Sequence, residues 1–281
     1  MRWIGRKQSE NVEDRRGVTP KRIVGGGIGT LVILLIVWLL GGNPLEFLQN
    51  LPQSEQGSVS EYQPTEEENK LAQFVGVVLG DTEDVWREWF RQTGRTYPPP
   101  KLVLYTDMVQ SACGFSSAAS GPFYCPGDHK VYVDLSFCQD LQRRFHAPGD
   151  FAIAYVIAHE IGHHVQNLLG ISDKVAAVRE QVGESEYNKY SVAMELQADF
   201  LAGVWAHHAQ KLNNILEEGD LEEALNAASA VGDDRIQKMT RGTVMPDAFT
   251  HGTSVQRQHW FQKGFQTGDI NQGNTFAGLE F

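Results

Sequence analysis

Apolar positions recur at helical spacing between Lys70 and Thr93: Leu71, Phe74, Val75, Val78, Leu79, Val85, Trp86, Trp89 and Phe90. A 3.6-residue period puts most of them on one face and predicts helix, with Gly80-Asp81 as an expected break into two. Pro98-Pro-Pro100 stops any helix, and Leu102-Val-Leu-Tyr105 reads as a buried strand. His129 to Leu135 alternates apolar and polar, which predicts a half-exposed strand. Lying just upstream of the next helix, it is a candidate edge for an extended peptide. Phe151 to Leu169 is a further helix, with Asp150 expected as its cap and Gly170 as its end. Ser191 to Trp205 and most of Leu212 to Met239 are helical too. The sum is a helix-rich α+β domain with a small sheet, without internal repeats.

One run breaks this pattern. Ile23 to Leu40 carries no charge over 18 residues, which as helix spans roughly 27 Å, close to a bilayer's hydrocarbon thickness. It is long for a cleaved signal, and no small-x-small cleavage site follows it. The expected division is therefore a basic N-terminus over 1–22, a transmembrane helix over 23–42, a polar linker over 43–69 and a domain over 70–281.

Charge sharpens that picture. The net charge of the 281-residue chain is −11, yet residues 1–22 carry seven Lys or Arg against three acids, leaving −15 for the rest. So acidic a domain excludes a nucleic-acid partner, which would need clustered cations. The basic flank predicts a cytoplasmic N-terminus and a domain exported to the periplasm or cell surface. Export permits a disulfide, and Cys113 with Cys125, bracketing a loop of small residues, is the expected pair. Cys138 is expected as a buried thiol, and without a C-x-x-C spacing a zinc–thiolate site is not expected.

The chemistry concentrates in His159-Glu160-Ile-Gly-His163. Residues four apart share a helix face roughly 6 Å apart, so both imidazoles can reach one metal ion, with Glu160 beside it as a base for water. A catalytic zinc site needs a third protein ligand. The spacing H-E-x-x-H-x-x-G-x-x-H does not supply it, since positions 166 and 169 hold Gln and Leu. Glu195 on the next apolar helix is the expected ligand, and Asp199, one turn on, is placed to accept the free ring N–H of His159. Glu184, Glu186, His207 and His208 are competing ligands. Ala198, Ala202 and Gly203 would let this helix approach the motif helix, and His164 points off the metal face.

His159-Glu160-Ile-Gly-His163 followed by Glu195-Leu-Gln-Ala-Asp199 resembles the gluzincin pattern of thermolysin-like peptidases. With Ala112-Cys-Gly, Gly121-Pro-Phe-Tyr-Cys125-Pro, Lys130 to Ser136, Gly232-Asp-Asp-Arg-Ile-Gln237 and Thr250-His-Gly-Thr-Ser254, the chain is similar to a bacterial family of neutral zinc metallopeptidases. The likeness runs from the N-terminus to Phe276. It implies a zincin-like fold, Zn2+ as cofactor and a peptide or protein substrate. It also implies a group beyond the metal helices that stabilises the oxyanion, for which His251 is the candidate and Arg257 a second. Gly232-Asp233-Asp234-Arg235 is expected to be a helix break with a local ion pair. The competing reading is a membrane-anchored scaffold that keeps zinc for structure or binds peptides without cutting them. Glu160 speaks against it, because a structural site needs no base.

Overall fold

The computed structural model describes residues 1–18, 62–117, 121–143 and 145–281. Four short strands form the main sheet: β1 (Val12–Asp14), β2 (Lys101–Tyr105), β5 (Phe123–Cys125) and β6 (Lys130–Asp134). Their order is β1-β2-β6-β5, with the first three parallel and β5 antiparallel on the edge. A separate hairpin, β3 (Met108–Ser111) and β4 (Gly114–Ser117), is tied to β5 by the Cys113–Cys125 disulfide. Cys138 is a buried free thiol.

Eight α-helices carry the rest of the described chain: α1 (Glu66–Gln92), α2 (Leu135–Arg143), α3 (Asp150–Leu168), α4 (Ile171–Arg179), α5 (Glu184–Asn213), α6 (Asp220–Ala230), α7 (Asp233–Arg241) and α8 (Ser254–Thr267). The fold is thus helix-rich α+β with a small sheet. Leu102, Leu104, Val131 and Val133 face the helices and join Phe74, Trp86, Phe151, Trp205 and Phe261 in one core. Burying each aromatic of this kind contributes about 1.5–3 kcal/mol.

Several local expectations change. α1 runs unbroken through Gly80-Asp81, because Asp81 is tied to Arg6 and the preceding turn packs on residues 7–9. Thr65 and Glu68 close a capping box at its start, worth about 1 kcal/mol. β6 is buried on both faces rather than half-exposed, since Val131 and Val133 face the helices and Tyr132 packs with Val103, Tyr105, Val109 and Cys125 on the other side. The edges of the sheet are β1 and β5, not β6. Gly149, not Asp150, is the N-cap residue of α3, and Asp150 instead pairs with the Met1 ammonium.

The expected single-pass topology is overturned. β1 pairs with β2, Trp3 packs edge-on against Phe74, and Arg6 binds Asp81, so residues 1–18 are built into the same body as the metal-motif helix. They cannot lie on one side of a membrane with the domain on the other. Among the described residues no helix is long and apolar enough to cross a membrane. The stretch Ile23–Leu40, and most of the expected linker, fall outside the described residues.

Candidate metal centre

His159 and His163 sit on α3 and Glu195 on α5, and the two helices touch through small residues. A Cβ added at Gly162 would lie 3.0 Å from the carbonyl oxygen of Ala198, so glycine is what lets the backbones meet beside the site. Gly203, expected to serve that contact, serves another. It meets Phe261 of α8, while Gly264 of α8 meets Phe200, an approach that added Cβ atoms would close to about 2 Å. α5 is thereby gripped from both sides.

His159 Nε2 lies 3.2 Å from one Glu195 oxygen and His163 Nε2 3.3 Å from the other. Four-coordinate zinc with bonds near 2.0–2.1 Å separates neighbouring ligand atoms by about 3.3 Å. The three side chains therefore converge, each imidazole within about that distance of a carboxylate oxygen, so that one ion could reach all three. Each imidazole is also fixed in the right tautomer. His159 donates its Nδ1–H to Asp199 at 2.8 Å, and His163 donates its Nδ1–H to Gln166 Oε1 at 2.9 Å. Gln166 has no freedom to turn, because its amide nitrogen donates to the Met194 carbonyl and to Gln197. Nε2 of each imidazole is thus the nitrogen turned towards Glu195, where a metal would take the place of its proton.

Electrostatics point the same way. Burial opposes charge on His159, but Asp199 and Glu195 outweigh it and push the imidazole up to about 10. Glu195 is held well below the usual carboxylate range: burial opposes this, and the two imidazoles prevail. The pocket is a buried negative field that favours a cation, and two nitrogens with one oxygen suit zinc.

Glu160 is buried beside these three side chains. Its burial raises the carboxyl, the imidazoles of His159 and His163 pull it back, Glu195 raises it, and the backbone of Tyr124 in β5 helps hold the charge. The sheet edge and the metal motif therefore meet at one carboxylate.

His251 is half-exposed, in the loop before α8, and the field of Glu195 reaches it. Asp233 holds that loop. Its Oδ2 accepts the backbone N–H groups of Thr250, His251 and Gly252 at 2.7, 2.5 and 3.0 Å, and its Oδ1 lies 3.3 Å from His251 Nδ1. Asp234 accepts from Ser254. Gly232 to Arg235 is thus a helix break, as expected, but its acids clamp the His251 loop, and Arg235 reaches the Phe145 carbonyl instead of a local partner.

Other sequence candidates fall elsewhere. Arg257 is buried against Asp199 and Tyr155, where it cannot meet an oxyanion. His207 and His208 bond the carbonyls of Phe265 and Gly268. Glu184 and Glu186 lie in the first turn of α5, away from the cluster. His164 points off the cluster, as expected, and is buried, donating to the Pro98 carbonyl and accepting from the Tyr124 hydroxyl. Gln166, Tyr155 and Tyr124 were not given roles by sequence, and Asp233 was expected in an ion pair rather than as the clamp of the His251 loop. Gln166 and Tyr155 had a readable signal, being three after His163 and four before His159 on the same helix.

Comparison with known proteins agrees with the geometry. The model of the family described as "Putative neutral zinc metallopeptidase" matches residues 1–276. The protein YpfJ of Escherichia coli K12 is 49% identical over 287 aligned positions, covering 99% of each chain. Mb2605 of Mycobacterium bovis and Rv2575 of Mycobacterium tuberculosis are each 39% identical over 259 positions, covering 86% of this chain and 85% of theirs. Both the E. coli and the mycobacterial relatives carry the description "uncharacterized protein". No solved structure matches. With the match spanning nearly its whole length, the chain belongs to this neutral zinc metallopeptidase family.

Proposed function

We propose that the protein is a zinc-dependent peptidase that hydrolyses peptide bonds with water, on a zincin-like scaffold. The observation that carries this reading is the convergence of His159, His163 and Glu195 on one point, with Glu160 buried beside them. Zinc bound there supplies a Lewis acid that polarises the scissile carbonyl and lowers the pKa of water. Glu160 takes the proton of the attacking water and returns it to the leaving amine, a role suited to a carboxyl raised by burial. His251, whose imidazole is raised by its hydrogen bond to Asp233, donates to the oxyanion of the tetrahedral intermediate. Asp199 and Gln166 keep the two imidazoles aimed.

The substrate is a peptide in extended form, laid along β5. That strand is the sheet edge nearer Glu160, and its Tyr124 backbone already faces that carboxylate, so main-chain pairing with β5 brings a peptide carbonyl beside the base.

The test uses the full chain, loaded with zinc and offered an unfolded protein such as casein. Cleavage should stop with a chelator and return with zinc. Glu160→Gln should keep its zinc and lose at least about 100-fold in rate, while Glu195→Ala should lose the metal. Undiminished hydrolysis by Glu160→Gln would remove the assigned base. Captured peptides from the same variant would name the substrate.

A further inference from the structure

We propose that Arg257 is a positioning residue for the metal centre, acting through Asp199 on His159. This rests on the zinc reading above. Arg257 lies on α8, 58 residues from Asp199 in sequence, and is 3% exposed. Its guanidinium grips both carboxylate oxygens: Nε donates to Oδ2 at 2.8 Å and Nη2 to Oδ1 at 2.9 Å. Nη1 reaches the Val231 carbonyl at 3.3 Å, which anchors the far side of the fork.

Oδ1 is the atom that matters. It also accepts the hydroxyl of Tyr155 and the Nδ1–H of His159. A carboxylate held by one oxygen alone could rotate about its Cβ–Cγ bond and carry His159 with it. A planar two-point grip removes that rotation, which a single ammonium cannot do. The grip also comes from a fixed backbone, because Gly203 and Gly264 bring α5 and α8 into direct contact. Asp199 stands one turn after Glu195 on α5, so one guanidinium steadies the carboxylate that aims a ligand from α3 and the helix that supplies another.

A purely structural role, compensating a buried carboxylate, would show in stability alone. Positioning shows in the metal. Zinc affinity is measured by chelator competition, and ligand geometry by the visible bands of the cobalt-substituted protein, for the parent, Arg257→Lys, Arg257→Gln and His159→Ala. Unfolding of the metal-free proteins is followed separately. Arg257→Lys keeps the charge and so guards against simple unfolding. It should bind zinc at least about tenfold more weakly than the parent, the range typical of groups that orient a ligand, with altered cobalt bands. Arg257→Gln should lose as much or more. Zinc affinity within twofold of the parent and unchanged cobalt bands in either folded variant would overturn the inference, whatever its stability. Failure of the underlying zinc reading looks different: the parent binds no zinc, or His159→Ala keeps it.

Discussion

Gln166 stands to His163 as Asp199 stands to His159: each accepts the Nδ1–H of its histidine, at 2.9 and 2.8 Å, and leaves Nε2 facing Glu195. The two arrangements differ in charge and in origin, an amide from the same helix against a carboxylate from the neighbouring one. Gln166→Leu should fold, since the position is fully enclosed, yet bind zinc about 10–100-fold more weakly. Gln166→Glu should retain most of the affinity, because it restores an acceptor. Chelator competition decides it, and equal affinity of Gln166→Leu and parent would mean that His163 needs no partner.

Asp233 should matter to turnover but not to metal content. It fastens the His251 loop through three backbone N–H groups. Its hydrogen bond to the imidazole raises His251, burial opposes that, and the charges of Glu195 and Asp233 add to the rise. A raised histidine stays cationic to higher pH, so hydrolysis should fall on the alkaline side as His251 loses its proton. In Asp233→Asn that limb should move to lower pH and kcat should drop roughly tenfold or more, with zinc unchanged. Adding His251→Ala should cost little further, because the two act as a unit. Fully additive losses would uncouple the pair.

The disulfide sits one residue from the strand position that meets Glu160: Cys125 follows Tyr124, whose backbone supports that carboxylate. Cys113→Ser with Cys125→Ser should lower stability by about 2–4 kcal/mol and reduce hydrolysis more than zinc binding. Thiol counting can follow the bond. Cys138 is buried, and burial followed by Asp134 pushes its thiol up to about 12, so it should stay silent to thiol reagents in the folded protein. Two thiols appearing on mild reduction, together with loss of activity, is the expected result. Full activity with two free thiols would show that β5 holds its place without the bridge.

Much of the site was legible because helices impose it. His159, Glu160 and His163 share a face by spacing, and Glu195 and Asp199 share another, so two short patterns defined five positions of one cluster. What spacing cannot give is which loop or helix closes over that cluster. Arg257 and Asp233 reach the site through contacts 58 and 18 residues apart in sequence, and nothing in their own neighbourhoods announces a partner. The strand signals failed in a related way. His129 to Leu135 alternates like an edge strand, but alternation reports only which side chains face the core, not whether a neighbour covers the strand, and Phe123–Cys125 was too short to register. The membrane expectation misread the N-terminus because a basic flank beside an apolar run is a compositional signal. The pairing of Val12–Asp14 with Leu102–Leu104 is a tertiary fact invisible to it.

His164 makes stability depend on acid in a predictable direction. Burial lowers its imidazole to about 4; the hydrogen bond to the Pro98 carbonyl resists this and nearby His129 adds to it. The unfolded chain takes up a proton near 6.5, whereas the folded protein does not until about 4. More protons on the unfolded side mean that stability rises with pH across that window. The contribution is thus fully present above 6.5 and lost as pH falls towards 4, amounting to about 3 kcal/mol. His164→Gln can keep a donor for Pro98 and an acceptor for Tyr124 but does not titrate. Urea unfolding of the two metal-free proteins between pH 7.5 and 4 should show the parent losing about 3 kcal/mol more than the variant, since the titrations of other groups cancel in the difference. Parallel curves would mean that His164 takes its proton in the folded protein as readily as in the unfolded chain, and that the Tyr124–His164–Pro98 chain is not held neutral.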